Sequence, residues 1–370
     1  MCFLDLSKAF DNVWRNGLLC KLLNSGVGNR FYKIIKSMHH NVNCCISTNA
    51  GLTDCFQTAQ GVRQGDSLSP QLFNLYLNDI PSILDNNDGI ELGAKKICSL
   101  MYADDIALVS DSLAGLQRNL NKIGDYFQEW ELKVNVLKSA LMIFGSKAST
   151  NYEILYYGNT PLNTVTEYCY LGLNFTRSGT FQHAQRSLAD KARKACFKLK
   201  QIISQTDLTP RKTLVLFHSL ITPICTYASE LWTPLSVNGD SYDRMFTDFE
   251  NQFVAEKLYM SFCKFILGVN RKAVNLAVRG ELGSYPLLLQ GLKKVMKYYV
   301  RVKEIDGNGL LHHAYLFNER SHGTSKKTWI NFFRNVEKLI AGEISDVMAT
   351  QKLILGKYHS TFISKLQTAS

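Results

Sequence analysis

The most restrictive feature of this sequence is a pair of adjacent acidic residues at the centre of an apolar segment. Asp104 and Asp105 are the only charged residues between Ile97 and Ser110. Two apolar flanks of strand length around a polar centre predict two strands joined by a tight turn. Adjacent carboxylates repel each other, so we expect a cation beside this turn, unless the turn is simply a solvated hairpin.

A third carboxylate interrupts another apolar strand. Asp5 lies within the short apolar run Met1–Leu6. A lone acid in an apolar strand is costly unless it is paired or bound to a metal. Mg²⁺ prefers oxygen ligands, and a pair of such ions can activate an attacking hydroxyl and stabilise a leaving pyrophosphate. Asp5, Asp104 and Asp105 are therefore candidate metal ligands.

The order of the predicted elements favours an α+β fold. Strands bracket helices without regular βαβ alternation, which argues against a doubly wound parallel sheet. Helices are predicted over Pro70–Ile83 and Leu113–Trp130. After residue 180 the pattern is mostly helical. A helix over Phe181–Gln205 has the apolar stripe Leu188, Ala192, Ala195, Leu199 and Ile202.

The uncharged segment Thr213–Ser229 is the longest candidate for a membrane span. It contains His218 and Pro223 together with several hydroxyl residues. A spanning helix needs roughly 20 mostly apolar residues. We therefore interpret this segment as a buried helix and expect no membrane partner.

Positive charge is confined to the second half of the chain. Residues 1–180 carry 15 Lys+Arg and 16 Asp+Glu, a net charge of −1, whereas residues 181–370 carry 27 and 15, a net charge of +12. This distribution fits a phosphate-backbone partner or an anionic membrane surface, and the plainer alternative is a solvated basic face. The ten cysteines are scattered without repeated spacing, which favours a reducing intracellular compartment, nucleus or cytoplasm.

Three segments, in this order, resemble the polymerase motifs of non-LTR (LINE-type) retrotransposon reverse transcriptases. Residues 3–11 (FLDLSKAFD) resemble motif A, residues 61–70 (GVRQGDSLSP) motif B, and residues 102–105 (YADD) motif C. Residues 132–139 resemble motif D, and residues 170–172 resemble the motif E turn. Segments within 219–232 and 265–283 are similar to the region that follows the polymerase in these elements.

The resemblance implies a role for each matching residue. Asp5 and Asp104 would bind two Mg²⁺ ions (or Mn²⁺), with Asp105 completing the triad. The nucleotide would contact Leu6, Ala9, Phe10, Gln64, Gly65 and Lys138. The primer grip would be Tyr170, Leu171 and Gly172. The nucleic-acid backbone would contact Arg186, Lys191, Arg193, Lys194 and Lys198. The plain alternatives are a core aromatic for Phe10, a surface lysine for Lys138 and a solvated face for the basic helix.

The resemblance also implies a domain plan and a function. Residues 1–176 would be the palm, an antiparallel sheet backed by helices. Residues 177–235 would be a thumb-like helical region and 236–370 a helical extension. The expected function is RNA-directed DNA polymerase, with an RNA template, a DNA primer and deoxynucleoside triphosphates as partners.

Two alternatives to this polymerase are a non-catalytic nucleic-acid-binding remnant and another two-metal phosphotransferase. The motifs begin within motif A at residue 3. We therefore expect an N-terminally truncated chain that lacks the fingers region and is weak or inactive alone.

Overall fold

The structure, a computed structural model, describes residues 1–93, 95–145, 153–305, 307, 309–320 and 328–369. The chain forms two compact units. The first comprises Met1–Gly172 with Thr176–Gly179, and the second comprises Leu173–Phe175 with Thr180–Ser370. The first unit mixes strands and helices, whereas the second is helical apart from strand residues 173–175. The fold is therefore α+β, as the order of elements predicts.

The strands of the described residues are short. They are β1 (Cys2–Asp5), β2 (Val42–Cys44), β3 (Ser47–Thr48), β4 (Gly51–Leu52), β5 (Phe56–Thr58), β6 (Ile90–Leu92), β7 (Lys95–Ile97), β8 (Ser99–Tyr102), β9 (Asp105–Leu108), β10 (Ala140–Leu141), β11 (Tyr156–Tyr157), β12 (Thr160–Pro161), β13 (Asn163–Thr164), β14 (Glu167–Tyr170) and β15 (Leu173–Thr176).

One five-stranded sheet organises the first unit, in the order β13-β10-β1-β9-β8. Strand β1 is central and antiparallel to both neighbours, with Phe3 opposite Ala107 of β9 and Ala140 of β10. Residues 2–4 of β1 are buried because the strand is covered on both faces. The sheet therefore carries the end of β1, where Asp5 lies, beside the β8–β9 turn.

The α-helices in the described residues of the first unit are α1 (Arg15–Asn24), α2 (Asn29–His39), α3 (Ser69–Leu77), α4 (Ile80–Ile83) and α5 (Leu113–Glu129). Their apolar faces join the core with Phe73, Tyr76 and Phe127, which are fully buried. The predicted helix over Pro70–Ile83 is two helices, because Pro81 has no N–H to continue the hydrogen-bond pattern of α3. The predicted helix over Leu113–Trp130 is confirmed.

The helices of the second unit are α6 (Gln182–Ile203), α7 (Pro210–Leu220), α8 (Thr222–Cys225), α9 (Ser229–Ser236), α10 (Tyr242–Asn251), α11 (Val254–Ile266), α12 (Asn275–Leu282), α13 (Leu287–Glu304), α14 (Leu310–Arg320), α15 (Trp329–Ile340) and α16 (Val347–Ala369). They enclose two apolar clusters, one around Trp232 and Phe333 and the other around Phe217 and Phe262.

The apolar stripe of α6 differs in part from the predicted one. Leu188, Ala192 and Leu199 are buried as predicted, but Ile202 is exposed and Ala195 is only half-buried. Buried Cys196 takes the place expected for Ala195, because α6 packs along a row of residues spaced mainly four apart rather than three.

The segment Thr213–Ser229 is not one buried helix. It contains the end of α7 and the short α8, which begins beside Pro223, and Val215 and Leu220 are more than half exposed. Proline accounts for the break, and the exposed residues show that α7 buries only one face. Across the described ranges, no helix combines the length and apolarity needed to cross a bilayer.

Candidate active site

The three predicted catalytic carboxylates meet at one end of the central sheet. Asp5 is the last residue of β1 and lies directly opposite Asp105, the first residue of β9. Tyr102 also pairs with Asp105, so Ala103 and Asp104 form a two-residue turn. Ala103 has φ +52, a conformation that such tight turns require. The hairpin predicted from the apolar flanks of Asp104 and Asp105 is confirmed.

Electrostatic repulsion is concentrated in this cluster. Burial and the nearby charges of Asp104 and Asp5 raise the pKa of Asp105. All three carboxylates are half-buried. Within the described ranges none of them forms an ion pair with a side chain. The negative charge of the cluster is therefore not paired with a cationic side chain among the residues that the structure describes.

The donor chemistry of this cluster suits a magnesium ion. Carboxylate oxygens are hard ligands, and Mg²⁺ is usually held by one or two carboxylates together with water and substrate phosphates. No group of three His, Cys, Asp or Glu in the described part of the chain forms a ready-made metal cage. The carboxylates of Asp5, Asp104 and Asp105 are ligands of the type that Mg²⁺ prefers.

Motif B lies against motif A through backbone hydrogen bonds. Gly61 N–H donates to the Val13 carbonyl at 2.8 Å, and Val62 N–H donates to the Phe10 carbonyl at 2.9 Å. Gly61 has φ +87, and a Cβ there would lie 2.8 Å from the Asp11 carbonyl oxygen. Only glycine satisfies both conditions. The sequence pattern places Gly61 in motif B but carries no signal for this close approach.

A buried arginine holds the same junction. Arg15 Nε donates to the Gly61 carbonyl at 2.9 Å, and its Nη1 donates to the Thr58 carbonyl at 2.5 Å. Arg15 thus ties the end of β5 to the start of motif B. Sequence reasoning missed this residue, because a single arginine before an apolar helix looks like an ordinary surface residue.

The three motifs line one cleft of about 430 Å³. Its lining residues come from motifs A, B and C: Leu6, Lys8, Ala9, Phe10, Arg63, Gln64, Gly65, Asp66, Ser69, Pro70 and Asp104. Five of the six residues predicted to contact the nucleotide are among them. The sixth, Lys138, is exposed outside the cleft lining. A larger cavity of about 1050 Å³ beside α5 contains none of the predicted site residues, so size alone does not identify the site.

The aromatic ring of Phe10 lines the cleft and is backed by a second ring. Phe10 stacks on Phe73 with ring centroids 4.6 Å apart and ring planes 16° apart. Phe73 is fully buried, while Phe10 remains half-buried at the cleft surface. Phe10 therefore packs against a core aromatic residue on one side and lines the cleft on the other.

Gln64 is oriented by motif A. Its Nε2 donates to Asp11 Oδ1 at 2.8 Å, and the side chain is exposed at the cleft. The neighbouring Gly65 has φ +88 with open space where a Cβ would be. The backbone at Gly65 is thus accessible to a ligand, as expected of a residue that a nucleotide or template approaches.

The motif D segment forms hydrogen bonds with the backbone of Asp5. Asn135 N–H donates to the Asp5 carbonyl at 2.8 Å, and Asp5 N–H donates to Ser139 Oγ at 3.1 Å. The Lys138 carbonyl accepts a hydrogen bond from the Tyr168 hydroxyl at 3.1 Å. Asn135 and Ser139 fall within the motif D resemblance, but no pattern in the sequence links them to Asp5.

The predicted primer-grip residues divide into one buried residue and an exposed turn. Tyr170 is buried, and its hydroxyl donates at 3.4 Å to the carbonyls of Leu100 and Asp105. Leu171 and Gly172 are exposed, with φ +50 and +76. Tyr170 thus supports the backbone of the motif C hairpin, while the turn presents Leu171 to solvent.

The predicted phosphate-contacting residues form an exposed face of α6 in the second unit. Arg186, Lys191, Arg193, Lys194 and Lys198 are all exposed. Arg193 pairs with Asp190 at 2.5 Å, which offsets part of its charge. Sequence reasoning missed Phe197, which lies on the same face with 63% of its surface exposed. An exposed aromatic among cations is an arrangement that single-stranded nucleic acids can stack upon.

Comparisons with known proteins agree with this arrangement. Residues 1–175 match the family model "Reverse transcriptase (RNA-dependent DNA polymerase)". The RNA-directed DNA polymerase from the mobile element jockey of Drosophila funebris is 28% identical over 238 residues, which are 62% of this chain and 25% of that protein. A retrovirus-related Pol polyprotein from the type-1 retrotransposable element R2 of Nasonia vitripennis is 30% identical over 191 residues, 49% of this chain and 19% of that protein.

A solved structure of apo telomerase from Candida tropicalis is also similar, at 14% identity and a TM-score of 0.39, covering 85% of this chain and 52% of that one. The matched regions span a quarter or less of the length of the two curated relatives. Residues 1–175 are therefore similar to reverse transcriptases, and the two relatives named here come from a mobile element and a retrotransposable element.

Proposed function

We propose that the chain carries the nucleotidyl-transfer site of an RNA-directed DNA polymerase. In this reaction the 3′-hydroxyl of a DNA primer attacks the α-phosphate of a deoxynucleoside triphosphate selected by an RNA template. Pyrophosphate leaves. The observation that carries the proposal is the convergence of motifs A, B and C on one cleft, with Asp104 in its lining and Asp5 opposite Asp105 beside it.

Asp5, Asp104 and Asp105 would hold two Mg²⁺ or Mn²⁺ ions. When bound, these ions supply positive charge that favours the primer alkoxide and the leaving pyrophosphate. Burial, together with the nearby charges of Asp104 and Asp5, raises the pKa of Asp105, and a bound cation would offset both effects.

The other residues of the cleft would bind and orient the substrates. Lys8 and Arg63 are exposed cations in the cleft lining, so they are suited to attract a triphosphate. Phe10, which Phe73 holds in place by stacking, would leave little room for a 2′-hydroxyl and so favour deoxynucleotides. Gln64, held by Asp11, would orient the incoming nucleotide against the template.

We also infer that residues 1–176 act as the palm and that α6 acts as a thumb helix along the primer–template duplex. The supporting observation is the row of exposed cations on α6. Contacts to phosphates would add affinity that depends on salt and not on sequence.

A direct test is primer extension by the purified chain on an RNA template, with Mg²⁺ and with Mn²⁺. We expect Asp104→Asn to reduce extension by about a hundredfold or more, because it removes charge at the reacting phosphate. Asp111→Asn, an exposed acid just beyond the hairpin, is the matched control and should leave extension unchanged. Measurable extension by wild type that Asp104→Asn retains in full would refute the assignment.

A second candidate function is nucleic-acid binding without catalysis. The observation that favours it is the +12 net charge after residue 180, with Phe197 exposed on the basic face of α6. It predicts binding of an RNA/DNA hybrid that weakens steeply with salt and does not change in Asp5→Asn. Hybrid binding without any extension, in both metals, would favour this candidate over the polymerase.

A further inference from the structure

The backbone of Asp5 is held by an unusual pair of partners. In an antiparallel ladder the N–H and C=O of one residue point to the same side of the strand. For Asp5 both groups point away from β9: the N–H reaches Ser139 Oγ at 3.1 Å, and the carbonyl accepts from Asn135 N–H at 2.8 Å. Asp5 and Asp105 therefore form a non-hydrogen-bonded pair, the type in which opposite side chains lie closest.

Strand pairing on the other side of β1 is interrupted at Asp5. The ladder with β10 ends at the pair Phe3 and Ala140, and an isolated antiparallel bridge between Leu6 and Val134 follows. Between these two pairings the amide of Asp5 has the Ser139 hydroxyl as its partner. The hydroxyl of Ser139 therefore replaces the backbone carbonyl that a longer strand would have supplied.

Ser139 is itself fixed in place. It is only 1% exposed, and its Oγ donates to the Asn135 carbonyl at 2.9 Å while accepting from Asp5. Its own N–H also donates to the Asn135 carbonyl, at 3.0 Å. The 135–139 turn thus forms hydrogen bonds with both backbone polar groups of Asp5, one through the buried Ser139 hydroxyl and one through the Asn135 amide.

These two hydrogen bonds oppose two effects that would displace Asp5. Strand ends fray when their backbone groups are unpaired. The carboxylates of Asp5, Asp104 and Asp105 also repel one another when no cation is bound. We propose that Ser139 is a positioning residue, which holds the Asp5 carboxylate beside Asp105 for a divalent cation. The proposal rests on the proposed function, because it assumes that Asp5 is a metal ligand.

The test measures Mn²⁺ binding to the full chain. The electron paramagnetic resonance signal reports the concentration of free Mn²⁺. Loss of one hydrogen bond to the backbone corresponds to about a three- to tenfold change in an equilibrium constant. We expect Ser139→Ala to raise the Mn²⁺ dissociation constant by about that factor, and Ser139→Thr, which keeps the hydroxyl, to restore it to within about twofold of wild type. Asp5→Asn, as the reference for a lost ligand, should raise it by at least about tenfold.

A matched control separates positioning from general loss of stability. Asn119 is fully buried in the same unit, and its side chain also holds both backbone groups of one acidic residue, Asp85, at 2.8 and 3.3 Å. Asn119→Ala should lower the melting temperature at least as much as Ser139→Ala but leave Mn²⁺ affinity unchanged. Thermal melting of every variant shows which ones are folded.

The outcomes distinguish the two levels of the proposal. Unchanged Mn²⁺ affinity in Ser139→Ala, with weakened affinity in Asp5→Asn, overturns the role of Ser139 and leaves the proposed function intact. A folded Ser139→Thr that binds no better than Ser139→Ala, or an equal loss in Asn119→Ala, overturns it as well. Unchanged affinity in Asp5→Asn overturns the metal site itself and with it the proposed function.

Discussion

Gly61 is the position where the packing of motif B against motif A can be tested most sharply. Its φ of +87 is unfavourable for any other residue, and a Cβ there would lie 2.8 Å from the Asp11 carbonyl oxygen and 3.0 Å from Asp11 Cα. Both near atoms belong to the backbone, so neither can move aside cheaply. Gly65 is a natural control, because its φ is +88 but nothing lies within 4 Å of its Cβ position.

The expected magnitudes follow from these geometries. An alanine in the left-handed region costs about 1–2 kcal/mol, and alanine offsets about 0.4–1 kcal/mol of this by restricting the unfolded chain. Gly65→Ala should therefore destabilise the first unit by about 1 kcal/mol. Gly61→Ala adds an overpacking cost of about 1–3 kcal/mol, so we expect a total loss of about 2–4 kcal/mol.

The assay must report on the first unit alone. Amide hydrogen exchange measured by mass spectrometry as a function of urea gives the free energy of opening for peptides from α5, which lies wholly in that unit. Equal losses of opening free energy in Gly61→Ala and Gly65→Ala would show that the close approach of Gly61 to Asp11 does not affect stability. No loss in either variant would refute the argument from φ.

Three further predictions concern the second unit. Burial lowers the pKa of His218, so the stability that neutral His218 contributes should be complete above the unfolded pKa of about 6.5 and should be lost as the pH falls below it. In a pH series of urea melts, His218→Gln should remove this dependence of the unfolding free energy on pH, whereas the exposed control His359→Gln should keep it. Glu256 and Arg279 form a buried ion pair, so Glu256→Gln should lower the free energy of unfolding in urea by about 3–5 kcal/mol. Replacing both residues by methionine should recover most of this free energy. No recovery would show that the loss does not come from the unpaired charge of Arg279. Phe197→Ala should weaken binding of single-stranded nucleic acid by about fivefold or more without changing the slope of log K against log salt, and a changed slope would show that the ring does not act by stacking.

Local pattern determined much of the fold. The apolar flanks of Asp104 and Asp105 predict the hairpin, and helical spacing predicts α5, because turns and amphipathic helices depend on residues close in the chain. Errors arose where neighbours in space decide the outcome. Ile202 has the right spacing for the buried stripe of α6 but is exposed, because spacing does not say which side of a helix its neighbours cover.

The candidate site shows the same division. The order and residue types of the motifs predict Asp5, Asp104, Phe10 and Gln64 as residues of the site. Arg15, which holds the start of motif B, carries no local signal, because its partners Thr58 and Gly61 lie more than 40 residues away.

By itself the sequence predicted the groups of the candidate site, which are three carboxylates in apolar strands and a segment with Gly61 and Gly65 between them. It also determined that the second half of the chain is basic. The tertiary structure alone decided that Asp5 stands opposite Asp105 and that Ser139 supplies the partner for its amide. The physical reason is strand register. Pairing between residues a hundred positions apart depends on which apolar faces pack together, and a shift of one residue would turn Asp5 to the other face of the sheet.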